Sequence, residues 1–302
     1  MANRRILYAS DLSKNWQERQ RARQEHPELY PTIKTGLKEL DAMMDGGFEF
    51  GTFAVIGGEA GAGKSTLLEC FAKSFGEQKV NSLFCSGEMG DTGIGTLFFS
   101  SYSQVDRSTI KRRGMSIADW QLIEVAGKKI EQLTLAFDFG ALTVDDIGEG
   151  IVEVEAKTKE PVKAILGDYF NLWREKNFRG NKNDEAAIIS QRLNSYKRLQ
   201  DIERIVCFAA QLSKEAVRSK IVQMTNFYGA SQLIWDMDLG LIISNVMDKI
   251  SANEIILNRK LVSIVKAREG NVGEFEVEYN GATATISDRT EIVQQSGPYW
   301  NR

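Results

Sequence analysis

Eight residues constrain this chain more than any others: Gly58-Glu59-Ala60-Gly61-Ala62-Gly63-Lys64-Ser65. They fit the pattern GxxxxGK[ST], and their flanks supply the context that pattern needs. Upstream, Gly51 to Gly57 is a short apolar run, Gly-Thr-Phe-Ala-Val-Ile-Gly, which reads as a buried strand. Downstream, from Ser65 to Phe75, Leu67, Leu68, Phe71 and Phe75 recur at helical spacing. A strand must therefore pass into a helix through a glycine-rich loop. Glycines let backbone N–H groups point at a phosphate chain, and the new helix brings its positive end to the same place. Residues Gly58 to Thr66 would line that cradle. Lys64 would reach the β- and γ-phosphates, and the Ser65 hydroxyl would hold Mg²⁺.

Composition sets the outer limits. With 302 residues, 42% hydrophobic and 26% charged, the chain suits one large α/β domain with a small appendage. A net charge of −3 excludes a global basic field, so any nucleic acid must be met at local basic loops. Cys70, Cys85 and Cys207 each lie in an apolar run, with no metal-site spacing. They read as buried reduced thiols, which points to the cytoplasm. The start, Met-Ala-Asn-Arg-Arg, leads into no apolar stretch of signal length. No run approaches the ~18 apolar residues of a membrane span.

Taken in order, residues 10–26 read as a polar, exposed or partner-bound helix with Asp11 as an N-cap, ended before Pro27 and Pro31. His26, the only histidine, has no catalytic partner nearby. In residues 32–48, Leu37, Leu40 and Met44 line one helical face, and Gly46-Gly47 stop it. Residues 80–86 form a second apolar run, followed by Gly87-Glu88-Met89. A carboxylate there could polarise an attacking water, and a surface glutamate in a turn fits the position equally well. Residues 91–132 read as mostly helical, with a solvated basic turn at Lys111-Arg112-Arg113.

A short strand at 133–138 precedes a helix from Leu142 to Thr158 capped through Thr143 and Asp146. Val162 to Asp168 is an apolar strand ending in aspartate, the pattern that holds Mg²⁺ through water beside a phosphate loop. A basic polar loop spans 174–184, and a long helix follows with Ile188, Ile189, Leu193, Tyr196 and Leu199 on one stripe. Strands are expected at 204–210, ending before Gln211, and at 238–244 and 257–266. Residues 213–229 are polar, with Lys214, Arg218 and Lys220. From Glu274 to Ser287 the alternation around Asn280-Gly281 predicts a hairpin with a two-residue turn.

Strands alternating with helices, a phosphate loop after the first core strand and a closing hairpin resemble the RecA-like α/β fold, with a mainly parallel sheet flanked by helices. Thr35-Gly36-Leu37, Leu40-Asp41, Gly46-Gly47 and the loop at 58–65 are similar to RecA, RadA, KaiC and replicative helicases alike. Five later features resemble the hexameric replicative helicases of the DnaB family. They are Ser86-Gly87-Glu88-Met89; Asp168-Tyr169 with Arg179-Gly180-Asn181; Gln211-Leu212; Gly229-Ala230-Ser231-Gln232 leading to Asp236 and Asp238; and Lys266-Ala267-Arg268-Glu269-Gly270 before Gly273.

The resemblance covers about residues 32 to 285. It implies ATP as the nucleotide, Lys64 and Ser65 on phosphates and Mg²⁺, Glu88 on the attacking water, and Asp168 on Mg²⁺. Gln211 would sense the γ-phosphate, and Lys266 and Arg268 would reach the ATP of a neighbouring subunit. Arg179, Lys182, Lys214, Arg218 and Lys220, in the two polar loops, would line the pore of a ring and grip single-stranded DNA. Residues 1–31 would be a linker helix for subunit contact, and 32–302 the ATPase domain. The family carries a helical domain ahead of the ATPase that docks primase; the 31 residues here leave room for little more than the linker, a build that suits a phage or mobile element. Primase and a helicase loader are further partners the resemblance brings.

The expected function is thus a 5′–3′ type replicative helicase motor. Two alternatives stand beside it: a RecA/RadA-like ATPase that binds DNA without unwinding, and a helicase-like subunit that joins or inhibits another helicase. Lys64, Glu88, Asp168 and Arg268 together argue against an inert decoy. One departure from the family pattern is Gly167, where an aliphatic residue usually precedes the aspartate.

Overall fold

The computed structural model describes residues 6, 8–112, 114–141, 143–212, 231–247, 255–268 and 270–289. Its strands are β1 (Phe53–Gly58), β2 (Ser82–Ser86), β3 (Leu135–Asp138), β4 (Ala164–Asp168), β5 (Arg198–Leu199), β6 (Ile202–Glu203), β7 (Ile205–Gln211), β8 (Leu239–Met247), β9 (Ile255–Ala267), β10 (Gly273–Asn280) and β11 (Thr285–Asp288). Its α-helices are α1 (Ala9–Glu25), α2 (Lys38–Met43), α3 (Lys64–Glu77), α4 (Asp91–Ser103), α5 (Arg107–Lys111), α6 (Ile117–Ile130), α7 (Val144–Thr158), α8 (Lys182–Tyr196) and α9 (Ser231–Asp236).

One nine-stranded sheet runs in the order β11-β10-β9-β8-β1-β7-β4-β2-β3. From β8 to β3 every pairing is parallel; from β8 to β11 every pairing is antiparallel. A parallel sheet must be covered on both faces, so its strands are apolar at successive positions. In β1 all six residues are buried. Alternation then deals them to two layers. Ala54, Ile56, Cys207 and Ala209 face α3 and α4, among Leu67, Phe71, Phe75 and Phe98. Phe53, Val55, Val206 and Phe208 face α7 and α8, among Ile147, Ile151, Ile189 and Leu193. Each buried Val, Leu, Ile or Phe side chain among them contributes about 1.5–3 kcal/mol by leaving water. This is the mainly parallel, helix-flanked RecA-like architecture with a closing hairpin.

Several local expectations shift. Asp11 is not the N-cap of α1: Tyr8 occupies that place without a side-chain cap, and Asp11 sits in the first turn. The helix expected across 32–48 is only Lys38–Met43, because Ile33 is bridged to Phe48 as a strand pair. Lys182 is not in the preceding loop but is the first residue of α8, capped by Asn181, and Leu199 lies beyond that helix in β5. The closing hairpin joins Asn280 to Thr285, so its connection is four residues, not two. Asn280 Oδ1 accepts from Ala282 N at 3.0 Å and Thr283 N at 3.3 Å, and this side-chain turn replaces the tight one. The three cysteines are free and buried, and His26 is exposed. No helix among the described residues is long and apolar enough to cross a membrane.

Candidate active site

Because β1, β7, β4 and β2 are parallel neighbours, their carboxyl ends lie side by side, where open α/β sheets bind ligands. Register sets Gly58 opposite Gln211 and Ser86 opposite Asp168. The phosphate loop, Gln211, Asp168 and the Ser86–Met89 turn therefore share one edge. Two loop glycines take left-handed backbone, Gly61 at φ +73° and Gly63 at φ +111°, which a Cβ would strain. At Gly63 a Cβ would also stand 3.2 Å from Ile243 Cδ1 and 3.3 Å from Tyr279 Cε2.

Lys64 Nζ donates to the carbonyls of Gly58 at 3.0 Å and Glu59 at 2.8 Å. Burial lowers its pKa, against the opposing pull of Asp168, Glu88 and Glu59. Asp168 is 1% exposed, and neither carboxylate oxygen has a hydrogen-bond partner among the described residues. Burial, helped by the charge of Glu88, pushes its pKa up to about 6; the Ser65 hydroxyl and Lys64 pull the other way. The Ser65 hydroxyl therefore stands beside the Asp168 carboxylate. Two hard oxygen donors side by side, one a buried orphaned carboxylate, fit Mg²⁺. Thr66 is buried at the start of α3.

Glu88 is exposed on a turn that is itself fixed. Ser86 Oγ donates to Met89 O at 2.6 Å and accepts from Met89 N at 3.2 Å, and Gly87 N donates to Asp168 O at 2.8 Å. Gln211 is exposed, and its backbone N–H donates to Asn171 Oδ1 at 2.9 Å. Asn171, which sequence reasoning passed over, lies three residues after Asp168; that closeness was the available signal. Gly167 also finds its reason here. A Cβ at that position would stand 2.1 Å from Phe208 Cε1, and the Phe208 ring packs edge-on against Trp173 at 5.4 Å. The bulk missing before the aspartate is supplied by the neighbouring strand.

Lys266 and Arg268 are brought together, but not to this edge. β9 runs antiparallel to β8, so Lys266 is level with Val55 and Arg268 with Phe53, about 10 Å and about 17 Å along the strand from the loop and two strands to the side. Lys266 Nζ donates to Ile234 O, and Arg268 Nη2 donates to Trp235 O at 2.8 Å. Arg179 and Lys182 are exposed. Lys214, Arg218 and Lys220 lie outside the described residues.

A phosphate loop, a fixed acidic turn and a buried aspartate on adjacent strand ends can bind and activate a nucleoside triphosphate. Comparison with known families is decisive: residues 32–288 match the DnaB-like helicase C terminal domain. The chain belongs to that family. It is accordingly a helicase-type ATPase. A solved ATPase domain superposes with a TM-score of 0.79 at 21% identity, covering 90% of this chain and 98% of that one. A structure of a DnaB-like replicative helicase and its interactions with primase gives 0.76 at 20%, covering 86% and 64%. At such identities the likeness shows the fold. Local matches reach the DNA repair protein RadA of Halalkalibacterium halodurans, 39% identical over 61 residues, and of Rickettsia typhi, 26% over 113 residues. They cover 20% and 37% of this chain but only 13% and 22% of those proteins.

Proposed function

We propose that this member of the family is the motor of a replicative DNA helicase, a hexameric ring that moves 5′ to 3′ on single-stranded DNA and hydrolyses ATP between subunits. The observation that carries the reading is the split between its two charged ends. Lys64, Ser65, Glu88, Asp168 and Gln211 gather at one edge of the sheet, while Lys266 and Arg268 lie too far away to serve that same nucleotide. In a ring, the far end of one subunit meets the phosphate loop of the next.

Residues Gly58 to Thr66 hold the triphosphate, with Lys64 on the β- and γ-phosphates. Ser65 and Asp168 would hold Mg²⁺, whose charge would offset that of the transferred phosphoryl group. Glu88 orients the attacking water and takes its proton. Gln211 reads the γ-phosphate and passes the signal into residues 213–229, which begin two positions on. Arg179, Lys182, Lys214, Arg218 and Lys220 grip phosphates of the strand, so binding weakens with salt and ignores sequence. Residues 1–31 form the subunit-contact arm, and 32–302 the motor. The arm helix α1 buries no residue on its own chain, with Leu12 58% and Trp16 61% exposed, which supports packing on a neighbour. The protein works in the cytoplasm of a bacterium or a phage-infected host, with a loader or primase as further partners.

The test is steady-state ATP hydrolysis with and without single-stranded DNA, together with unwinding of a forked duplex. DNA-stimulated hydrolysis with unwinding is expected. Stimulated hydrolysis without unwinding would return the RadA-like reading, and no hydrolysis would return the interaction-subunit reading.

A further inference from the structure

The end of the sheet away from the phosphate loop carries an ion cluster that no contiguous motif announces. Asp238 immediately precedes β8, and its side chain is 16% exposed. Its Oδ2 accepts from the backbone N–H of Phe53, the first residue of β1, and from Lys197 Nζ, both at 2.9 Å. Its Oδ1 pairs with Arg268 Nη1 at 2.8 Å. The backbones repeat the link: Arg268 N donates to Asp238 O at 2.9 Å, and Asp238 N donates to Phe53 O at 2.8 Å. With Nη2 on the Trp235 carbonyl, one edge of the guanidinium is fixed in place and in plane. Its side chain is still 50% exposed. A planar fork with five donors can be held along one edge and still offer the rest.

Lys197 adds a second property. If Arg268 turns outward, Asp238 keeps a cation and an amide, so no lone charge is left in a largely buried place. The carboxylate can therefore aim the arginine without trapping it.

We propose that Asp238 is a positioning residue for Arg268, aiming its guanidinium at the nucleotide of a neighbouring copy. The proposal rests on the ring reading above. Asp238 touches no reacting group, so its effect falls on the neighbour's site and not on its own. The competing role is local: through Phe53 N–H it would brace β1 and hence the phosphate loop of the same chain.

Asp238→Asn separates the two, because asparagine can still accept from Phe53 N–H while the charge is lost. Binding of a fluorescent ATP analogue should match wild type, and kcat should fall about 10–100-fold, as for loss of one charge-assisted hydrogen bond. Mixed with Lys64→Ala, the variant should regain activity, since each supplies what the other lacks; mixed with Arg268→Ala, it should not. Recovery with Arg268→Ala and none with Lys64→Ala would place the defect in the variant's own loop and overturn the proposal, as would an unchanged kcat. Should Asp238→Asn fold poorly, Asp238→Ser carries the same test with a smaller acceptor. The reference pair, Lys64→Ala with Arg268→Ala, must recover in the same series. Its failure in demonstrated mixed assemblies would strike the ring reading itself, and the proposal with it.

Discussion

Asp168 and Asp238 are both largely buried carboxylates at ends of strands in one sheet, and they are treated oppositely. Asp238 meets two cations and a backbone amide. Among the described residues Asp168 closes no hydrogen bond at either carboxylate oxygen, and only the Ser65 hydroxyl and Lys64 act to favour its charge. An unpaired buried carboxylate is costly, and the cost appears as a pKa raised to about 6. A fold keeps such a group where a partner from outside completes it. The end of the sheet with Asp238 is finished within the chain, and its residues orient one another. The end with Asp168 is unfinished: Ser65, Glu88 and Lys64 all act on its carboxylate, and Ser65 and Lys64 are the residues that would share an incoming phosphate and its metal.

The largest expected effect tests the unfinished end. Lys64→Ala should abolish ATP hydrolysis, because this lysine is the cation placed at the loop to neutralise the transferred phosphoryl group; a wild-type turnover rate would remove Lys64 from the site. Next is Glu88→Gln, expected to keep nucleotide binding and lose about 10²–10⁴-fold in kcat, as for removal of a general base. Unchanged turnover would return Glu88 to an ordinary surface glutamate.

The contrast between the aspartates can be measured without turnover. A carboxylate whose folded pKa is raised contributes stability below its unfolded pKa and loses that contribution as pH rises through the folded one. For Asp168 the window runs from its ordinary value of 3.8 up to about 6. Without Mg²⁺ or nucleotide, Asp168→Asn should therefore match wild type near pH 4. At pH 8 it should be more stable, by up to about 3 kcal/mol. Denaturant melts at the two pH values check this. A variant less stable than wild type at pH 8 would mean that Asp168 is already compensated inside the chain. The smallest effect concerns the support behind it. Gly167→Ala should destabilise by about 1–3 kcal/mol through its clash with Phe208, with thermal melting as the readout; a neutral outcome would show that the Phe208 ring yields.

The two ends also differ in how far the sequence disclosed them. Gly58–Ser65 is contiguous and carries its own strand and helix, so the loop and its edge of the sheet were legible from spacing, while position alone left Glu88 open between the site and a surface turn. Asp238's partners come from residues 53, 197 and 268, and only the fold brings these together. Gly167 read as a departure from the family pattern because its filling, Phe208, lies on another strand. The β5–β6 hairpin went unseen because its turn residues, Gln200 and Asp201, adopt φ +57° and +59° without a glycine to mark it. The hairpin after β10 was seen, but the Asn280 side chain built a longer turn than its Asn-Gly pair suggested.

The central claim is that one nucleotide is served by the phosphate loop of one copy and by Arg268 of another. The most direct measurement mixes Lys64→Ala with Arg268→Ala, each inactive alone, and follows ATP hydrolysis as the ratio is varied. Loss of an arginine finger costs roughly 10³–10⁵ in rate, so recovery stands out against either parent. The account predicts activity that appears only in mixtures and peaks near equal proportions. Mixed assemblies, shown by mass to contain both variants, that stay inactive at every ratio would contradict it.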